Sequence, residues 1–332
     1  MGLRRALAVG RAASCAAAVA LVAGSAQAVS IQFDYRFDNR GFFTDLSSGE
    51  PLAERRALLD LAALPFAGFG DSLAAIAPQS GDEWSVSFTH PSLGGQAAPT
   101  VTNLEVAADT LTVFVGGSVS GPGVLGFATT GFDLTVTGSS AFVDSVLTRG
   151  QPNAIGANAT DYGTWGGTIW FNARNDWYFG ADAAGLTPGR PDFLTTATHE
   201  LAHILGVGSA DSWLAQVDAQ GRFVGQQSVE AHGGPVPLEA IGAHWARGTS
   251  SFVAGQAQQT LMDPGTIPGQ REYPTDLDYA GLADIGWQVS AVPEAGSATS
   301  MLAGLAGMFC AIRHNTPLGS RKAKSRIPQG RS

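Results

Sequence analysis

Residues 196–209 read TATHELAHILGVGS, and this stretch decides how the rest of the chain is understood. His199 and His203 lie four apart, with Glu200 between them. In a helix, four residues at 100° each return to the same face, offset by about 40°. Both imidazoles can then be turned toward one ion. Glu200 sits to one side of the pair, within reach of a water on that ion and too offset to ligate it. Phe193, Leu194, Ala197, Leu201, Ile204 and Leu205 gather on the other side of the wheel, so the pattern predicts one face for core and one for chemistry. The helix is expected over about 192–205, with Asp192 after Pro191 as N-cap and Gly206 as the left-handed stop.

HExxH on a helix is the arrangement used for zinc-dependent hydrolysis. Zinc with three protein ligands keeps an open position and lowers the pKa of water held there. The neighbouring carboxylate, Glu200, removes that water's proton as it attacks a peptide carbonyl and hands it to the leaving amine. A third ligand is needed. The short spacing HExxHxxGxxH would supply it three residues after the glycine, but this chain has Ser209 there, a poor neutral zinc ligand. The downstream candidates are Asp211, His232, Glu239 and His244. Neutral imidazole is preferred for zinc, which leaves His232 and His244.

Residues 233–287, GGPVPLEAIGAHWARGTSSFVAGQAQQTLMDPGTIPGQREYPTDLDYAGLADIGW, resemble the tail of leishmanolysin-type metzincins. In that family an insertion separates the helix glycine from a third histidine in an HW context. An LM Met-turn and a short helix ending in DIGW or similar follow. The resemblance implies His244 as third zinc ligand and Met262 as the Met-turn methionine beneath the metal. It implies a metzincin-like zincin fold with a twisted mixed β-sheet, an HExxH helix, a loop-rich C-terminal subdomain and a closing helix. The chain departs from the family in its cysteines. Leishmanolysin-type enzymes are disulfide-rich, whereas Cys15 and Cys310 both lie outside residues 29–290. No disulfide framework and no cysteine-switch propeptide is therefore expected, and the chain looks closer to secreted, matrixin-like bacterial relatives.

WGGTIWFN (165–172) occupies the place where metzincins run an edge strand along the cleft, and such an edge can pair with an extended peptide. The alternative is an internal strand with Trp170 in the core. Asp161, Asp176 and Asp182, in a Gly/Asn-rich stretch, are candidates for a structural calcium, with a solvated acidic loop as the alternative.

The two ends read as addresses. Residues 1–28 have a basic start (Arg4, Arg5, Arg11), an Ala/Val/Leu run and AQA before a cleavage point after Ala28, the pattern of a secretory signal peptide. At the other end VPEA (292–295), an uncharged stretch 295–312 and a basic tail (Arg313, Arg321, Lys322, Lys324, Arg326) resemble a PEP-CTERM signal. Exosortase-type enzymes process that signal in Gram-negative envelopes, so the resemblance implies an exported protein, transiently or permanently anchored through 295–312. Ala295 replaces the usual second proline, and a plain single-span anchor is the alternative. Between the ends stand ten arginines, no lysine and 27 acidic residues, a formal net charge of −17. Such a surface repels nucleic acid and anionic membranes.

Residues 51–64 read as a helix with Pro51 in its first turn and Pro65 ending it. Strand-like runs follow at 84–90, 110–117, 132–138 and 167–172. The last helix is expected at 275–286, with Thr275 and Asp278 as a capping box. The order predicts an α+β catalytic domain over 29–290 between signal and sorting segments. The expected function is a secreted or surface-attached zinc endopeptidase acting on protein or peptide substrates. The competing class is a non-catalytic surface or matrix protein that keeps the fold.

Overall fold

Residues 110–118, TLTVFVGGS, send alternate side chains into two different cores. Leu111, Val113 and Val115 enter one apolar cluster, whereas Phe114 enters another with Trp84, Val86, Phe88 and Trp165. Side chains alternate along a strand, so a strand apolar on both faces must be central. The computed structural model describes residues 28–289 and bears this out. The signal-peptide expectation for 1–28 falls almost wholly outside the described residues, and the sorting-segment expectation for 291–332 wholly so. Among the described residues no helix is long and apolar enough to cross a membrane.

In chain order the elements are β1 (Ser30–Asp34), α1 (Ala53–Ala63), β2 (Glu83–Ser87), β3 (Thr100–Thr102), β4 (Thr110–Ser118), β5 (Gly126–Thr129), β6 (Phe132–Thr137), α2 (Ser140–Leu147) and β7 (Gly166–Asn172). They continue as α3 (Phe193–Ile204), α4 (Asp211–Leu214), β8 (Arg222–Phe223), α5 (Gln226–His232), β9 (Val236–Pro237), β10 (Ser250–Val253), β11 (Gln256–Gln259) and α6 (Asp276–Asp284). The fold is α+β. The main sheet has the order β1-β4-β7-β5, with β1, β4 and β7 parallel and β5 antiparallel. Helices α1 and α3 pack together on one face. An antiparallel sheet, β3-β2-β6, closes the second core on the other. Between α3 and α6 only short elements occur, including the ribbons β8-β9 and β10-β11.

Most expected elements are present within a few residues of their expected bounds. Pro51 is a correction. It does not enter the first turn of α1 but pairs with Thr44 in an isolated bridge, and the helix starts at Ala53. Pro65 stands in a 3-10 turn, Leu64–Phe66, directly after α1. Of the two readings of the strand 166–172 the internal one holds: it is bonded to β4 and β5, although Trp170 is only half-buried, with its ring stacked on Phe127 at 6.1 Å. The free edge beside it is β5.

The segment after residue 28 belongs to the body of the fold. Val29 is buried, and its amide bonds to Phe69 O. Strand β1 pairs with β4 along all five residues. Phe42, Phe43, Leu58, Leu59, Ala62 and Phe66 lie in the main core with residues of α3. Burying one such large side chain is worth about 1.5–3 kcal/mol, so loss of the five large ones is comparable to the roughly 5–15 kcal/mol that holds a domain folded. A variant lacking residues 29–66 should therefore show no cooperative thermal transition by circular dichroism. A normal melt would mean the segment is a dispensable propeptide.

Candidate metal centre

Helix α3 is buried on nearly every side; of its twelve residues only His203 is not fully buried. The expectation of a core face and a separate polar face is thus only half met. The six apolar positions are in the core, but Thr195, Thr196, Thr198, His199 and Glu200 are enclosed as well. The threonines are tolerated because their hydroxyls bond locally: Thr195 to the Asp192 carboxylate, Thr196 to Asp192 O and Thr198 to Leu194 O. Asp192 caps the helix as expected, accepting from the Thr195 amide at 3.1 Å. Its carboxylate also takes the Arg271 guanidinium at 2.9 and 2.8 Å, both side chains buried.

Gly206 ends the helix with φ +101. Its amide returns to His203 O, and the Val207 amide returns to Ala202 O, the paired bonds of a Schellman turn. That turn does chemistry as well as geometry, because it points the Val207 carbonyl at His203 Nδ1, 2.9 Å away. Gly208, at φ +81, lets the returning chain come close. A Cβ there would lie 2.4 Å from Ala243 O, next to His244. Ser209 is exposed and contributes nothing to the centre.

His244 does return to the helix. Its Nε2 lies 3.2 Å from His199 Nε2 and 3.0 Å from His203 Nε2. Among the described residues this trio is the only group of three or more His, Cys, Asp or Glu side chains close enough to share a metal ion. The other candidates are elsewhere. His232 is exposed at the end of α5, near Gly234 O. Asp211 accepts the Gly156 amide. Glu239 is not in the trio but behind it, 3.6 Å from His244 Nδ1, with the Ile241 and Ala243 amides on its oxygens. Burial works against its ionisation, but those amides and His244 outweigh it and hold the carboxyl below its ordinary value.

Two of the histidines have hydrogen-bond acceptors at Nδ1, Leu261 O at 2.7 Å for His199 and Val207 O at 2.9 Å for His203, and the Glu239 carboxylate faces His244 Nδ1 from 3.6 Å. An acceptor there fixes the proton on Nδ1 and leaves Nε2 a bare lone pair. Burial and the neighbouring imidazoles push His199 well below its ordinary pKa and His203 down to about 4. Burial also lowers His244, with Glu239 opposing. With the proton of His199 and His203 held at Nδ1, their Nε2 lone pairs converge with Nε2 of His244 on one point, where a cation can be held. Nitrogens about 2.0–2.1 Å from a tetrahedral zinc would stand about 3.3 Å apart, close to the separations seen. The donor set therefore fits zinc.

The chain that brings His244 back is held by aromatic packing that motif reasoning missed. Trp213 of α4, Phe223 and Trp245 pack with tilted and edge-on rings at 4.3–5.5 Å between centroids, and Trp213 Nε1 donates to Gly242 O. Trp245 also donates from its amide to Met262 O and from Nε1 to Asp278. Met262 is fully buried. The Asp278 carboxylate then takes the amides of Leu261 and Met262 and both the amide and hydroxyl of Thr275. The expected capping box is present, and the same aspartate anchors the Met262 turn. Trp287 completes the frame by donating to Leu205 O at 2.7 Å.

No family model, characterised protein or solved structure matches this chain. The function must be argued from the centre itself.

Glu200 has strand β5 against it. A Cβ on Gly126 would lie 2.7 Å from Glu200 Oε1, so glycine at that position leaves the room the carboxylate occupies. Burial pushes the Glu200 carboxyl up to about 8. The acidic residues considered for calcium do not converge. Asp176 pairs with Arg190, Asp182 closes a local turn on the Ala184 amide, and Asp161 accepts the Tyr162 amide.

Asp278→Ala should leave several buried donors without acceptors, at about 1–3 kcal/mol each. A fall in Tm of at least about 6 °C is expected, with reduced zinc content in the purified protein. Unchanged zinc and Tm would show that the carboxylate does not organise the centre.

Proposed function

We propose that the chain is a zinc-dependent endopeptidase of metzincin type, exported and held at the envelope by its C-terminal segment. The observation that carries the reading is the convergence of three Nε2 atoms, with His199 and His203 oriented by Nδ1 acceptors and Glu239 facing His244, beside a buried glutamate. His199, His203 and His244 would hold the metal. Zinc supplies an electrophile with an open position, which acidifies water and polarises a carbonyl. Glu200 serves as general base. A cation at the trio draws its carboxyl back toward the ionised form, so it can accept a proton and then give it to the leaving amine.

The substrate peptide lies along β5. This strand has one neighbour in the sheet and runs past Glu200, so its free edge can pair with an extended chain near that carboxylate. The role expected for the strand 166–172 thus passes to β5. An exposed Phe127 on that edge offers an apolar contact for substrate side chains.

The test is zinc analysis combined with casein or gelatin cleavage. Wild type should bind one zinc and cleave; Glu200→Ala should keep zinc and lose at least about 10²-fold in rate. His244→Ala should lose zinc, whereas His232→Ala should keep it. Gly126→Ala should keep zinc and lose about tenfold or more in rate through a displaced Glu200. Zinc retained without cleavage by the wild type would favour a non-catalytic surface protein.

A further inference from the structure

His244 differs from the other two histidines in what stands behind it. His199 and His203 rest on main-chain carbonyls, Leu261 O and Val207 O. His244 instead faces a charged side chain, with Glu239 Oε1 3.6 Å from its Nδ1. Residues 239–244 form a hairpin loop: Leu238 pairs with Trp245 in an isolated bridge, and the Glu239 amide donates to His244 O at 3.1 Å. The Glu239 side chain folds back into this loop. Oε1 accepts the Ala243 amide and Oε2 the Ile241 amide, each at 3.0 Å, while the Gly242 amide donates to Glu239 O. One residue thus closes the loop with its main chain and fills it with its carboxylate. That carboxylate stands on the Nδ1 side of His244, behind the point where the three Nε2 atoms converge.

What the carboxylate adds there is charge. Three imidazoles are neutral ligands and leave the charge of a dication uncompensated among buried groups. Burial opposes ionisation of Glu239, but the loop amides and His244 outweigh it and hold its carboxyl below the ordinary value, so it is an anion at neutral pH. Asp263 also acts on His244, but no ion pair joins them and its oxygens take the Gly248 and Gly265 amides. Among the described residues Glu239 is the one acid within ion-pair range of a histidine of the trio. The 3.6 Å separation is longer than a hydrogen bond. Positive charge held at Nε2 makes Nδ1–H a stronger donor and favours closing that gap. A carboxylate behind a ligating imidazole fixes the ring and raises its basicity.

Building on the zinc-peptidase reading, we infer that Glu239 is a positioning residue for the metal. It orients His244 and supplies the counter-charge behind the one ligand that does not come from α3. Its part in shaping the loop is separable from this. Ile241 is exposed, so water can replace one carboxylate oxygen at its amide. Glutamine can keep an oxygen toward Ala243 and His244, but it cannot supply the charge.

The full chain is stripped of metal and titrated with zinc against a chelator. Zinc affinity should fall about tenfold or more in Glu239→Gln, while the metal-free Tm stays within about 2 °C of wild type. Glu230→Gln, which removes an exposed charge on α5, should bind zinc as wild type does. In heteronuclear NMR of the zinc-loaded protein with labelled histidine, the Nδ1 proton of His244 should move upfield in Glu239→Gln while those of His199 and His203 stay in place. Unchanged zinc affinity in Glu239→Gln overturns the assignment, as does an unmoved His244 proton. An equal loss in Glu230→Gln overturns it by making the effect one of overall charge. A loss of affinity matched by a lower metal-free Tm overturns it by making the effect one of folding. If wild type binds no zinc, the metal reading fails and this assignment with it. If wild type binds zinc and cleaves nothing, only the peptidase reading fails, and the affinity comparison still decides Glu239.

Discussion

The Asp278 carboxylate is the constraint on which the histidine trio depends. It collects the Trp245 indole, the Leu261 and Met262 amides and the Thr275 amide and hydroxyl into one buried point. Through Trp245 it fixes the residue after His244. Through Leu261 it fixes the carbonyl that orients His199. Two of the three imidazoles therefore take their position from one acid on the last helix. The third, His203, takes its orientation from the turn that ends its own helix. A second aspartate on the same helix, Asp284, accepts the Gln227 and Ser228 amides and so holds the start of α5, within the insertion between Gly206 and His244. Helix α6 is nine residues long and ties both the centre and the insertion to the core.

Local patterns in the sequence showed what such patterns can show. The offset of His199 and His203, the Asp192 cap, the Gly206 stop and the Thr275–Asp278 box are all set by residues within a few positions of one another. Each has its expected counterpart in the fold. The choice between His232 and His244 was different. Residue chemistry left both open, because imidazole ligates equally well from either position; only the HW resemblance pointed to His244. What separates them physically is the packing of Trp213, Phe223 and Trp245 from three separate segments. No periodicity in the chain announces that packing.

The undecided and the misplaced elements share this cause. The strand 166–172 was left open between edge and interior, and what decides it is β5, a four-residue strand too short and glycine-bearing to stand out in sequence. Pro51 suits a helix start by its fixed φ, but a bridge to Thr44 claims it first. Gly126 carried no signal at all. Its meaning lies in the absence of a side chain where Glu200 needs space, and that is visible only once the two segments are side by side.

The placement of Asp278 also bears on timing. A chain made from its N-terminus presents His199 and His203 long before residue 278 follows. Until α6 arrives, Leu261, Met262 and Trp245 lack their common acceptor, and His244 has nothing to hold its neighbour in place. The ends of the domain meet at the same late moment: Phe69 receives the Val29 amide on one side and bridges to Val289 on the other. Residues 29–66 are built into the same core. The histidine trio is therefore complete only when nearly the whole domain has been made.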